Sequence, residues 1–301
     1  MVTRARVMIS GQTFEVEVLR RHYEQPSAVR LLMVCYHPTP IAAEVTRVGI
    51  ESILRYTPTP FELWVVDNAS LSRYSEWLRS LEAVNVVFNR TPPVPPRRQG
   101  WRARLGLRAP RADQQMGAGS YANAIGLELG VWAIDPSSHY LCVMHNDVLV
   151  LRENWLSYLQ AKLSQHVRAA AMLRDRHSGR IGALHVSGLL FDFALFRQLG
   201  MSFMPDLPRL DVGDKISAML RTAGYGEFVC QNTYNNPELV DWIAKDNPLH
   251  RLHTDRAFDD DRRVIFAHLG RGTPKSAGHY RQPGKTYPEQ WIAFAREHVL
   301  A

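Results

Sequence analysis

Two aspartates stand where packing gives no reason for them. Asp67 follows the apolar run Leu63-Trp-Val-Val66, and Asp147 follows Tyr140-Leu-Cys-Val-Met144 with only His145 and Asn146 between. Such runs read as strands buried on both faces. In open parallel sheets, ligands gather beyond the carboxyl ends of strands. A carboxylate there either caps a following helix or turn or faces a ligand, and two of them in one topology favour the ligand. His145 and Asp147 occupy alternate positions, so on an extended backbone their side chains point the same way. Imidazole and carboxylate both bind divalent cations, carboxylate being the better match to Mg2+. A cation held there would neutralise a diphosphate. The turn Asp67-Asn68-Ala69-Ser70 adds further hydrogen-bond acceptors.

The elements that must position these residues follow from periodicity. Val29–Cys35 is a near-continuous apolar run and reads as a buried strand. Pro38 and Pro40 break it. A helix is expected over 41–56, with Ile41, Val45 and Val48 at helical spacing. Strands are expected at 63–66 and 84–88, with a short helix over 74–81 between them. This alternation argues for a parallel sheet covered by helices. A helix over 120–132 carries Tyr121, Ile125, Leu129 and Trp132 on one face, and a strand over 140–144 leads to His145. Further elements are expected as helices over 153–163, 193–199, 212–222 and 288–300, and strands over 183–191 and 264–268. Gly11-Gln12 between two short apolar runs marks an N-terminal hairpin. Beyond Gly226 the tail reads as irregular, with Asp259, Asp260 and Asp261 on a solvated turn.

Between 91 and 119 no hydrophobic period survives. Five prolines and six arginines, Arg97 to Arg111, make a long basic loop. Such a loop folds over a bound anion, docks on an anionic acceptor or membrane surface, or is a solvated insertion. The 301 residues fit one large α/β domain or two small ones. A formal charge of +7 favours anionic partners. The arginine cluster has only Trp101 interleaved, which argues against a nucleic-acid binder. The cysteines, Cys35, Cys142 and Cys230, are far apart in apolar runs. They read as buried free thiols, and so sparse a count fits a reducing, cytoplasmic setting. No apolar stretch follows the first residues as a secretory signal would, and none is long enough to span a membrane. Cys35-Tyr36-His37-Pro38-Thr39-Pro40 stands where a dinucleotide-binding glycine loop would follow the first strand, and no P-loop is present. Hydride transfer and P-loop phosphotransfer are therefore disfavoured.

Taken in order, VRLLMVCYH, FELWVVDNAS, VNVVFNR, GSYANAIGLELG, YLCVMHNDVLV, VSGLLFDFALFRQLG and DVGDKISAMLRTAGY resemble the family 2 type of nucleotide-sugar glycosyltransferases, over roughly 29–225. The resemblance implies a GT-A fold: a Rossmann-like, mostly parallel α/β sheet flanked by helices, joined to a smaller acceptor-binding portion. It implies a hairpin extension over 1–28, a nucleotide-sugar half over 29–166 and an acceptor half with the tail over 167–301. Asp67, with Asn68, matches the acid that contacts base and ribose. Asn89 and the segment from Ser120 to Asn123 match the stretch beside the donor. Tyr36, His37 and Asn146 border it at the strand ends, and Gly188 matches a small-residue strand facing the donor sugar. Asp147 matches the last acid of the D-x-D motif, which binds Mn2+ or Mg2+, and His145 replaces its first acid. His268 matches a late histidine that is a further metal ligand or a diphosphate contact, with Arg271 and Lys275 near phosphate. Asp211 or Asp214 occupies the place of the catalytic base, with Asp211 as the helix N-cap.

The activity implied is transfer of a hexosyl or deoxyhexosyl group, with inversion. The donor is a nucleotide-diphosphate sugar, and the acceptor a glycan, a lipid-linked molecule or a small molecule. The setting is cytoplasmic, with a peripheral contact at the inner face of the membrane allowed by the charge. The competing readings are a sugar-phosphate nucleotidyltransferase and a noncatalytic nucleotide or glycan binding module.

Overall fold

The computed structural model describes residues 1–95, 111–175 and 181–301, with side chains from Gly117 onward in the second segment. Arg97 to Arg108, expected in the basic loop, and the segment His177 to Arg180 lie outside the described residues. The chain is α/β, as expected. Its main sheet has nine strands in the order β1-β2-β5-β4-β3-β6-β9-β8-β10.

The centre of that sheet is parallel. β3 (Val29–Cys35) pairs with β4 (Phe61–Asn68) on one side and β6 (Tyr140–His145) on the other, and β4 pairs with β5 (Val84–Asn89). These strands are apolar nearly throughout because both faces are covered. The chain steps from β3 to one side, through β4 and β5, and then returns to the other side at β6. That reversal places the strand-order switch at the carboxyl end of β3, where open α/β sheets bind ligands. Helix α1 (Pro40–Tyr56) begins with a proline at its first turn, and the Thr39 hydroxyl accepts from Ala42 N at 3.2 Å. The short α2 (Ser72–Ser75) and a 3-10 turn over Glu76–Ser80 replace the single helix expected at 74–81. Helix α3 (Arg111–Ala133) starts earlier than the expected 120, inside the stretch read as loop.

The N-terminal hairpin, β1 (Val2–Ile9) and β2 (Gln12–Leu19), turns at Ser10 and Gly11, both with positive φ. Strand β2 pairs antiparallel with β5, so the hairpin widens the main sheet. The opposite edge is built by β8 (Val167–Ala171), β9 (Gly188–Asp192) and β10 (Gly226–Val229). Strand β9 is shorter than the expected 183–191. Leu184 makes only an isolated bridge to Arg174. No helix of the described residues is long and apolar enough to cross a membrane.

After β6 the chain leaves the main sheet. β7 (Val148–Val150) belongs to a second sheet, ordered β11-β12-β13-β7, with β11 (Gln231–Asn232), β12 (Asp255–Phe258) and β13 (Val264–His268). The tail expected to be irregular thus supplies β11 and β12, and the strand expected over 264–268 forms as β13. The acidic turn is solvated at Asp260 and Asp261, as expected, but not at Asp259. Asp259 is buried and accepts from Asp261 N, Arg263 N and Asn154 Nδ2. A shared core closes the junction. Val45 and Val48 of α1 pack with Leu149 and Ala267, and with Trp291 of the closing helix Pro288–Phe294. Asn146 and Asp147 are the crossing between the two sheets.

Candidate active site

The crossing brings together residues far apart in sequence. In the second sheet, His268 pairs with Val148, one residue beyond Asp147. Leu269 N then donates to Asp147 O at 3.0 Å. Three donor atoms converge as a result. His145 Nδ1 lies 3.3 Å from His268 Nε2, His268 Nε2 lies 3.4 Å from Asp147 Oδ1, and His145 Nδ1 lies 4.0 Å from Asp147 Oδ1. Ligands at roughly 2.0–2.2 Å from one ion sit roughly 3–3.5 Å from each other at right or tetrahedral angles. Two of the separations lie in that range, and the third, 4.0 Å, needs only a small closing of His145 on Asp147 for a single divalent cation to fit. The far nitrogen of His268, Nδ1, lies 3.1 Å from Asp255 Oδ2. That carboxylate–imidazole pair turns Nε2 inward, the arrangement by which outer carboxylates orient metal-binding histidines.

The local charges balance without a cation by placing a proton on His268. Burial alone would lower its pKa, but Asp147 and Asp255 outweigh it and raise it to about 10. Burial alone would raise Asp147, but the charges of His268 and His145 and the Gly272 N–H hold its carboxyl well below the usual range. Burial and the neighbouring His268 lower His145 to about 4. The site is thus a fixed anion with one exchangeable positive charge beside it.

A glycine completes it. Gly272 N donates to Asp147 Oδ2 at 2.7 Å, from the first turn of a helix over Gly272–Ser276. A Cβ at Gly272 would lie 2.6 Å from Asp147 Cβ and 2.9 Å from Oδ2. Gly272→Ala is therefore expected to displace the carboxylate and weaken cation binding about 10–100-fold, as other losses of outer support do. Titration calorimetry with Mn2+ measures this, and wild-type affinity would show that the helix simply yields.

Asp67 lies at the same end of the sheet, paired with Cys35 across β3 and β4. It is fully buried. Oδ1 accepts from Ser70 N at 3.3 Å, while Oδ2 makes no hydrogen bond of full geometry among the described residues. Burial pushes its pKa up, against the pull of Ser70, Ser75 and Arg90. Hydrogen bonds lead from the Asp67 turn towards Asp147, beginning with His37 N, which donates to Ser70 Oγ at 2.7 Å. His37 Nε2 shares a 2.9 Å hydrogen bond with Thr46 Oγ1, and Asn146 Nδ2 donates to the same oxygen at 2.9 Å. Asn146 is the residue before Asp147. His37 is wholly buried, which lowers its pKa to about 4 against the Tyr74 carbonyl.

That burial has a consequence for stability. A histidine with a folded pKa near 4 and an unfolded value of 6.5 binds more proton when unfolded at every pH between them. Stability therefore rises with pH across that window and is lost on acidification from 6.5 to 4, by about 3 kcal/mol for this group. Urea unfolding in chelator should show the loss, and His37→Gln should flatten the slope. An unchanged slope would place the titration elsewhere.

The other expected site residues divide by what they touch. Asn68 Nδ2 donates to Ala122 O at 2.6 Å, and Asn89 Nδ2 donates to Asn68 Oδ1 at 2.8 Å. Both amides therefore tie β4 and β5 to α3. Tyr36 is exposed, and Ser120 and Asn123 are half-buried on α3. Gly188 is buried, and a Cβ there would meet Met172 Cγ at 2.7 Å and Phe266 at 3.4 Å. Lys275 is buried, donating to Leu269 O at 2.9 Å, while Arg271 covers the Tyr280 ring. Helix α6 (Asp214–Thr222; α4 is Trp155–Ala161 and α5 is Phe193–Gln198) starts later than the expected 212, and its N-cap is Gly213, not Asp211. Gly213 has φ +81° and a Cβ there would fall 2.3 Å from Val186 Cγ1. Only glycine serves at that cap.

Sequence reading missed His185 and Asp255. The His185 ring lies edge-on to His145, centroids 5.3 Å apart, and 5.6 Å from His268. Burial lowers its pKa to about 3, aided by the charges of His145 and His268. Neither residue stands at the end of an apolar strand run, so no sequence signal marked them.

No family model matches the chain, and no curated protein matches it. Solved structures do. A mannosyltransferase from Pyrobaculum calidifontis in complex with GDP-mannose and Mn2+ is 14% identical, with a TM-score of 0.45, covering 67% of this chain and 54% of its own. The galactosyltransferase LgtC, in complex with donor and acceptor sugar analogues, is 15% identical, with a TM-score of 0.48, covering 89% of this chain and 95% of its own. A 4-diphosphocytidyl-2C-methyl-D-erythritol synthase from Anaerococcus prevotii is 10% identical, with a TM-score of 0.40, covering 68% of this chain and 88% of its own. This chain thus spans little more than half the length of the mannosyltransferase that it is similar to.

Proposed function

We propose that the chain is a GT-A-type glycosyltransferase that moves a sugar from a nucleotide-diphosphate donor to an acceptor hydroxyl. The observation that carries this reading is the convergence of His145 Nδ1, Asp147 Oδ1 and His268 Nε2 at the strand-order switch, beside a second buried acid, Asp67. Two imidazoles and a carboxylate would hold the cation, a set that suits Mn2+ better than all-oxygen Mg2+. When bound, it neutralises the negative charge that grows on the departing diphosphate.

The chain's own residues supply the rest. Asp255 fixes the His268 ring and Gly272 N fixes the Asp147 carboxylate, so both donors are set before the donor sugar arrives. Asp67 accepts from the nucleoside through Oδ2, which makes no hydrogen bond of full geometry among the described residues; a hydrogen bond to a charged group contributes about 1.5–3 kcal/mol. Asp211 takes the proton from the acceptor hydroxyl as its oxygen attacks the anomeric carbon and the nucleoside diphosphate leaves, giving inversion. The test is a thermal-shift series of nucleoside diphosphates with and without Mn2+. A fitting nucleotide at about 100 times its dissociation constant adds about 2.7 kcal/mol of stability. A shift with Mn2+ that Asp147→Asn removes supports the reading, and no shift with any nucleotide sinks it.

A further inference from the structure

A second set of donor atoms converges at the ends of β3 and β4. Cys35 Sγ, a ring nitrogen of His37 and a carboxylate oxygen of Asp67 all lie within 4.8 Å of one another. Cys35 is 2% exposed, and His37 and Asp67 are 0% exposed. The topology explains the meeting. Cys35 and Asp67 are partners across parallel strands, and His37 follows Cys35 by two residues. His37 N also donates to Ser70 Oγ at 2.7 Å, which draws the two strand ends together.

Ordinary packing does not account for the group. Among the described residues, Asp67 Oδ2, His37 Nδ1 and Ser75 Oγ are buried and make no hydrogen bond of full geometry, although Ser75 stands beside the Asp67 carboxylate and the Tyr74 carbonyl beside His37. Buried polar atoms left short of a good hydrogen bond lose solvation without full return. Three together, with Ser75 beside the Asp67 carboxylate, mark a place built for a polar occupant. Cys142 and Cys230 sit within the apolar core with Leu190 and Met172. Cys35 belongs to the same core, but alone among the three its thiol also reaches a carboxylate and an imidazole.

We propose that Cys35, His37 and Asp67 form a buried site for a thiophilic divalent cation such as Zn2+, separate from the cluster at Asp147. The donor set is one sulfur, one nitrogen and one oxygen. Zinc takes such ligands at roughly 2.0–2.3 Å, and a thiolate selects it over Mg2+ or Mn2+. Binding forms the metal–sulfur bond as the Cys35 proton leaves to solvent, so uptake releases a proton and strengthens as pH rises. The site does not depend on the transferase reading. Where that reading also holds, zinc and the nucleoside compete for the same Asp67 oxygen, and Zn2+ inhibits donor binding.

Cobalt(II) is the probe, because a cobalt–thiolate bond absorbs in the near ultraviolet and the Asp147 cluster contains no sulfur. Chelator-treated full-length protein titrated with Co2+ should develop a charge-transfer band at one equivalent, bleached by Zn2+. Cys35→Ser should abolish the band, while Cys142→Ser, Cys230→Ser and Asp147→Asn keep it. Circular dichroism confirms folding of the variants. Should Cys35→Ser fail to fold, Asp67→Asn retains the thiol and should weaken cobalt binding at least about 10-fold. No band in the wild type overturns the proposal, as does a band that survives Cys35→Ser or an Asp67→Asn affinity equal to wild type.

Discussion

Asp147→Asn is expected to lower turnover at least about 10³-fold while leaving the chain folded. The size follows from charge. A cation on a departing diphosphate is worth several kcal/mol of transition-state stabilisation, and about 1.4 kcal/mol is tenfold in rate. Asparagine keeps an oxygen for Gly272 N, now 2.7 Å from Asp147 Oδ2, so the turn after β13 stays in place. It removes the charge that, with Asp255, lifts His268. With only Asp255 left to hold it, the His268 proton is released more readily than in the wild type. The variant should therefore bind Mn2+ poorly in calorimetry, melt at nearly the same temperature in chelator, and gain nothing from added Mn2+. Wild-type turnover in the variant, or undiminished turnover of the wild type in chelator, would remove the cation from the reaction.

The site was legible in sequence to the extent that single strands reveal it. Asp67 and Asp147 were found because each ends an apolar run, and that is a local signal. The pairing of Asp147 with His268 is not local. It depends on β6 and β7 entering different sheets and on the Val148–His268 register, and no spacing in the chain encodes that. The tail hid its strands for a related reason. β11 has two residues and β12 four, too few to show a period, and they form only because β13 and β7 supply partners. The same dependence explains Asp259, which read as solvated but is buried as the acceptor that closes its own turn. His185 carries the same lesson. It lies outside the regular strand β9 and acquires meaning only through the two imidazoles that face it. The early start of α3 went unseen because the prolines and arginines before it obscure any helical period.

Asp211→Asn is expected to lower turnover about 10²–10⁴-fold without changing donor affinity, the usual cost of losing a general base. The neighbouring acid is the natural rival, and its hydrogen bonds separate the two. Asp214 is buried, and its Oδ2 accepts from Asp211 N at 2.8 Å. That bond holds the turn whose cap is Gly213, so Asp214 works for the fold. Asp211 is half-buried, and its Oδ1 accepts from Val212 N at 2.8 Å. This keeps the carboxylate at the mouth of the turn rather than inside it. The turn packs on Val186, the residue after His185, whose ring abuts His145 and His268. Through Gly213, Val186 and His185 the turn is connected to the histidine cluster, and Asp211 is not among the groups that converge there. Asp214→Asn should then cost about 1–3 kcal/mol of stability through the weakened turn, with a smaller loss of rate. Steady-state kinetics and thermal unfolding on both variants decide between them. Should Asp214→Asn lose the rate at unchanged stability while Asp211→Asn keeps it, the roles are reversed. Full activity in both would take the base away from this turn altogether.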